Sequence, residues 1–157
     1  MADSGKHRIP VTRKSADELL YRTLRAVYHF EKSLEERFGL DYQGIYLLQL
    51  LRRREFASIG EIATALGIQI FSATRLVQRL ENRGYISKER SAPDRRVVSV
   101  RLEPAGDSFV DSIESFSYEF IGGRAAELPS KEQAAFICVA GHIDRVLGVE
   151  DRVDKDE

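Results

Sequence analysis

The sequence predicts a mainly α chain with a small β-hairpin wing. Three observations point there. Apolar residues recur at helical spacing over most of the 157 residues. Residues that start helices and glycines that stop them punctuate this pattern again and again. One run, Val97 to Leu102, breaks it with a period of two and β-branched residues. Between Ser58 and Gly106 the predicted order is short helix, tight turn, helix, strand, basic turn, strand. That order is a winged helix-turn-helix. The expected architecture is this module with N- and C-terminal dimerisation helices around it.

Met1 to Lys14 is polar, carries Pro10 and has no periodicity, and is expected to be a flexible arm. Ser15, with Glu18 three residues on, has the capping-box pattern and is expected to open the first helix. Its apolar stripe is Leu20, Leu24, Val27, Leu34 and Phe38, and Gly39 stops it. Asp41 caps a second helix to about Arg54, apolar nearly all round through Ile45, Leu47, Leu48, Leu50 and Leu51, and so expected to be central. Arg52, Arg53 and Arg54 read as a helix-end charge cluster rather than as phosphate contacts. Ser58 and Glu61 form a second capping box, with Ile62, Ala63 and Leu66 inward and Gly67 as the stop. The fourth helix runs from about Ile70 to Arg83, with Ala73, Leu76, Val77 and Leu80 inward and Gly84 beyond it. Tyr85 to Arg90 and the run around Val98, Val100 and Leu102 are the two strands of the hairpin. Pro104 suits the first turn of a fifth helix, which Gly122 and Gly123 are expected to break or kink. Ser130 and Gln133 suggest a capping box for a sixth helix that reaches Leu147. The residues from 149 on form an acidic tail. No internal repeat or low-complexity segment is present.

The net charge of −1 says nothing about partners, but its distribution does. From Arg52 to Arg101 eleven basic and five acidic side chains give +6, and the remainder carries −7. A basic centre between acidic ends suits one face that meets a polyanion. With the fourth helix's apolar face turned inward, Gln69, Ile70, Phe71, Ser72, Thr74, Arg75, Gln78 and Arg79 are left for double-stranded DNA. Gln can pair with adenine, Arg with guanine, and Ser or Thr with bases or phosphates. Arg79, further along, is placed at a phosphate. Arg95 stands at the predicted wing tip, where a cation can enter the minor groove. Asp94 beside it opposes phosphates, and its pairing with Arg96 across the turn makes it a brace that stiffens the wing.

At these residues the chain resembles a known family. SIGEIATALGI, TRLVQRLENRGYI and the wing pattern of Arg90, Asp94, Arg95, Arg96, Val100, Leu102 and Gly106 are similar to those of the MarR family of bacterial transcriptional regulators. The resemblance covers roughly residues 40–106. It implies a homodimer with interlocking terminal helices on a pseudo-palindromic operator, usually a repressor, often released by a small aromatic or phenolic ligand. It also makes Arg95 the minor-groove arginine and Asp94 with Arg96 the brace. Gln69 stands where the family often has a Ser cap, and Ile70 and Phe71 where it often has small or polar residues. Those two pack either on thymine methyls or on the protein itself.

The expected organisation is therefore a flexible arm over 1–14, a helical dimerisation region over 15–40 and 104–148, a DNA-binding lobe over 41–103 and a tail over 149–157. Phe109, Ile113, Phe116, Phe120, Ile137, Ile143 and Leu147 would leave a patch on a monomer that a second copy covers. Tyr21, Arg25, Tyr28, His29, Tyr42 and Tyr46 are candidates for an aromatic-ligand pocket, against the plainer reading of core or interface. A winged-helix module for protein partners, or a regulator with no ligand response, stays open as an alternative.

Other classes find little support. No apolar run approaches the ~20 residues of a membrane span. The N-terminus has no secretory pattern, so cytoplasm is expected. The lone Cys138 is expected to be buried and inert rather than redox-sensing. His142 and Asp144, two residues apart, do not share a helix face, so no metal is expected. No nucleophile–base pair or pair of acids suggests an enzyme, and no cofactor is expected.

Overall fold

The computed structural model describes residues 12–90 and 98–148. It falls into two units, divided after Asp41. The first contains α1 (Arg13–Phe38). Its cap is Thr12 and not Ser15: Thr12 is extended, and its side chain accepts the Ser15 N–H at 3.2 Å. Two hydroxyl residues three apart compete for the start, and the earlier one adds a turn to the helix. Gly39, at φ 66°, ends α1 as expected and donates its N–H to the Glu35 carbonyl. Leu34 and Leu40 are its buried apolar residues among those described.

The second unit carries α2 (Tyr42–Arg53), β1 (Ala57–Ser58), α3 (Ile59–Leu66), α4 (Ile70–Asn82), β2 (Ile86–Arg90), β3 (Val98–Leu102), α5 (Pro104–Ala126), α6 (Ser130–Ala140) and α7 (Ile143–Leu147). Its core is built around α2, whose Ile45, Leu47, Leu48, Leu50 and Leu51 are all buried. Ile62 and Ala63 from α3, Ala73, Leu76, Val77 and Leu80 from α4, Ile86, Val100, Val110 and Ile113 are buried too. This is the winged helix-turn-helix that the sequence predicts. The strands form an antiparallel sheet in the order β1-β3-β2, with Ala57 opposite Val100 and Ile86 opposite Leu102. β1 is an addition: two residues are too short for any periodicity to show, and they are strand only because β3 pairs with them.

Four expectations need correction. α5 runs unbroken through Gly122 and Gly123. Arg124 reinforces that stretch, donating to the Phe120 carbonyl at 3.1 Å with its guanidinium 3.6 Å from the Phe120 ring centroid. Ser130 and Gln133 form no capping box. Pro129 precedes α6 without a side-chain cap, and Gln133 donates instead to the Leu128 carbonyl at 2.7 Å, closing the turn behind it. The last helix is two, parted at Gly141 and His142. Finally, Ile113 and Phe109 are used inside the lobe: Ile113 is buried, and Phe109 stacks on Tyr85 with centroids 4.6 Å apart. Ile113 therefore belongs to the core, and Phe109, half-buried, is held against Tyr85.

The head of α5 is fixed by a close approach. Glu103 donates its N–H to the Tyr85 carbonyl at 3.0 Å, and a Cβ on Gly106 would lie 2.2 Å from that same oxygen. Only hydrogen fits there. Gly123, by contrast, has open space where its Cβ would be. Gly106→Ala is therefore expected to lower stability by roughly 1–3 kcal/mol, while Gly123→Ala raises it by about 0.5–1 kcal/mol. Urea melts of both variants check this. A Gly106→Ala protein as stable as its parent would mean that α5 does not start against Tyr85.

Candidate nucleic-acid interface

α3 and α4 hold the site. α3 starts with the full capping box: the Ser58 N–H donates to Glu61 Oε2 at 2.6 Å, and the Glu61 N–H donates to Ser58 Oγ at 3.2 Å. The Ser58 N–H, and next its hydroxyl, hold the Glu61 carboxyl below its ordinary pKa. Gly67, at φ 63°, ends α3, and Ile68 donates back to Ala63, so the chain reverses within a few residues. Gln69 then precedes α4 with no side-chain cap. The buried side of α4 is the one expected, and Gln69, Ile70, Phe71, Ser72, Thr74, Arg75, Gln78 and Arg79 are all exposed. Ile70 and Phe71 thus do not pack on the protein itself.

The exposed side chains are not equally available. Gln78 donates to Glu81 and Asn82, each at 3.0 Å, and accepts from Lys88 Nζ at 2.7 Å. Lys88 also pairs with Glu81 at 2.6 Å. In this arrangement Gln78 belongs to a clasp between α4 and β2, a role the helical pattern alone does not reveal. Thr74 donates its hydroxyl to the Ile70 carbonyl at 2.8 Å. The Arg75 guanidinium stands over the Phe71 ring, 5.7 Å from its centroid. Arg101 reaches Glu89 at 3.4 Å and Glu55 at 3.8 Å.

Arg52 positions α5. Its Nε lies 2.8 Å from Asp107, its Nη1 3.0 Å from Glu114, and its other terminal nitrogen pairs with Asp111. The hydrogen bond to Asp111 leads the upward shift of its pKa. The three acids stand at i, i+4 and i+7 on α5, a single face that the sequence displays. What the sequence does not display is that α2 ends opposite it.

Asp94, Arg95 and Arg96 lie outside the described residues, so the wing tip and its brace remain expectations. The ligand candidates divide between the units, Tyr21, Arg25, Tyr28 and His29 on α1, Tyr42 and Tyr46 on α2. Within them the Tyr28 and His29 rings meet edge-on at 5.6 Å, and Tyr42 stacks on Tyr46 at 6.2 Å. A cavity of about 310 Å³ lies elsewhere, between α5 and α6, lined by Phe120, Ile121, Arg124, Ala125, Leu128 and Phe136. Cys138 is exposed, contrary to expectation, because no described residue of α6 is buried. Among the described residues no three His, Cys, Asp or Glu side chains gather as metal ligands, and no helix is long and apolar enough to cross a membrane. Of the expected pairing face, Phe116 and Phe120 are half-buried while Ile137, Ile143 and Leu147 are exposed.

Known proteins are similar to this chain in sequence and in fold. The sequence profile of the MarR family matches residues 43–98. The HTH-type transcriptional regulator YdgJ of Bacillus subtilis is 25% identical over 122 residues, 78% of this chain and 74% of its own. The HTH-type transcriptional regulator SarR of Staphylococcus aureus is 29% identical over 97 residues, 60% of this chain and 84% of its own. The structure of Streptococcus pneumoniae FabT, solved in complex with DNA, superposes with a TM-score of 0.71 at 19% identity, covering 87% of this chain and 98% of that one.

The lowered Glu61 pKa sets a pH dependence. The unfolded chain holds the Glu61 proton more tightly, so the box adds stability above the ordinary carboxylate pKa and loses it as pH falls through the lowered native value. Glu61→Gln is expected to cost roughly 0.5–1 kcal/mol at neutral pH, with the gap closing in acid. Urea melts at several pH values read it, and a gap that does not change with pH would remove the carboxylate from the box.

Proposed function

We propose that this chain, whose residues 43–98 match the MarR family of transcriptional regulators, is a homodimeric repressor of a pseudo-palindromic double-stranded DNA operator, relieved by a small aromatic or phenolic ligand. One observation carries the DNA part of this reading. The whole outer side of α4 is exposed, from Gln69 to Arg79, while its inner side is core, and it stands in the +6 centre of the chain. A helix held on one side and bare on the other is what a major groove accepts. The DNA held by FabT, a protein of the same fold, supports this. Arg95 then serves the minor groove, with Asp94 and Arg96 as brace.

Pairing of two copies is supported by apolar surface that a lone chain leaves bare. Phe136, Ile137 and Val139 of α6, Ile143 and Leu147 of α7, and Leu19, Leu20 and Leu24 of α1 are all exposed. A two-fold dimer covers such surface and sets two α4 helices one turn of DNA apart, about 34 Å. The aromatic pairs Tyr28–His29 and Tyr42–Tyr46 are the seats proposed for the ligand, with Tyr21 and Arg25 beside the first.

Selection of bound fragments from a random DNA pool tests the reading. We expect one palindromic sequence to emerge, with affinity falling steeply as salt rises. Arg95→Ala should weaken it by roughly tenfold or more while sedimentation still shows a dimer. Release of the operator by one member of a panel of aromatic acids would support the ligand. A pool with no enriched sequence would overturn the operator, and an operator that no aromatic acid releases would leave a regulator without this ligand class.

A further inference from the structure

Ile70 and Phe71 are 64% and 69% exposed on the outer side of α4. Two large apolar side chains on the face that meets a polyanion call for an apolar counterpart there. The surroundings are cationic, with Arg75 and Arg79 on the same face and +6 over the segment, so the counterpart belongs to a nucleic acid rather than to another apolar protein surface. The apolar group that a major groove offers is the 5-methyl of thymine.

The neighbours fit the same ligand. Thr74 commits its hydroxyl proton to the Ile70 carbonyl at 2.8 Å, so its tip contributes a methyl group and no free donor. Gln78, the residue suited to adenine, has its amide engaged by Glu81, Asn82 and Lys88. Arg75 stands with its guanidinium 5.7 Å from the Phe71 ring centroid, so the ring both offers its own surface and restricts the arginine's approach. Residues 70 and 71 lie one helical turn before 74 and 75, about 5.4 Å, which is between one and two base steps of ~3.4 Å.

We infer that Ile70, Phe71 and the Thr74 methyl read thymine methyl groups, and that Phe71 sets Arg75 on a guanine within about two base pairs of them. This rests on the proposal that α4 enters the major groove. It assigns the half-site a chemistry: thymine beside guanine, recognised by methyl contact and one bidentate arginine, with little part for adenine-reading amides. Phe71 is thus a specificity-determining residue twice over, by its own contact and through Arg75.

Deoxyuridine tests it, because it removes only the methyl group. The operator selected by the wild-type protein is resynthesised with deoxyuridine in place of each thymidine in turn, in both half-sites together. Binding is followed by fluorescence anisotropy. At one or two positions the affinity should fall about fourfold per half-site, the worth of one buried carbon, and so about fifteenfold for the pair. Phe71→Ala should bind the thymine operator with a comparable loss and be indifferent to deoxyuridine there. It should also accept other bases at the adjoining guanine. Its melting temperature should match the parent's, since an exposed ring leaves no cavity. An operator bound tightly by the wild type yet indifferent to every deoxyuridine overturns this inference alone. A Phe71→Ala protein that binds as the wild type does overturns it too and hands the face to a protein partner. A pool from which no sequence is enriched overturns the groove reading, and this inference with it.

Discussion

The wing can leave and re-enter the lobe side by side only if α5 begins where α4 ends, and that condition is met at one peptide group. Tyr85 donates its N–H to the Leu80 carbonyl at 3.1 Å, closing α4 behind Gly84 at φ 71°. Its own carbonyl accepts the Glu103 N–H and lies so near Gly106 that no side chain fits. Its ring stacks on Phe109. The exposed helix, the root of the wing and the head of the longest helix of the lobe therefore share a single fixed point. The β2–β3 register starts one residue later, with Ile86 opposite Leu102. A shift at this joint would move the wing and α5 together relative to α4.

Charge is distributed with similar economy. Eleven basic residues in the centre overstate what that segment offers to DNA. Arg52 is taken by Asp107, Asp111 and Glu114, Lys88 by Glu81, and Arg101 by Glu89 and Glu55. These cations tie elements to one another, α2 to α5 and α4 to β2. Exposed pairs of this kind stabilise little one by one, and a network that fixes geometry matters more for where the helices point.

Where the determinants were local, the sequence was readable. The Ser58–Glu61 box, the stops at Gly39 and Gly67, Pro104 at the head of α5 and the buried face of α4 each depend on neighbours within four residues, and each was legible. Where a distant partner decides, reading failed. β1 exists because β3 lies beside Ala57. The tie between Gln78 and Lys88 of β2 shows in no helical pattern. Ile113 looked like surface for a second copy until α2 covered the first turns of α5. Gly122 and Gly123 weaken a helix by known amounts, but the Arg124 contacts with Phe120 hold that turn, and no propensity scale contains them. Cys138 follows the same logic in reverse: its helix has an apolar composition, yet nothing within the described residues covers it. The outer side of α4 is exposed as the pattern predicts, while the hydrogen bonds that hold Thr74 and Gln78 there are visible only in the structure.

The strand order β1-β3-β2 leaves two open edges, and open edges recruit strands from other molecules. Here neither can serve as a template. β1 is two residues long and ends as the cap of a helix, so an incoming strand would find no ladder to extend. β2 carries Lys88 and Glu89 side by side, and adjacent charges make a docked strand costly to desolvate. The sheet is thereby kept from pairing edge to edge with a strand of another molecule.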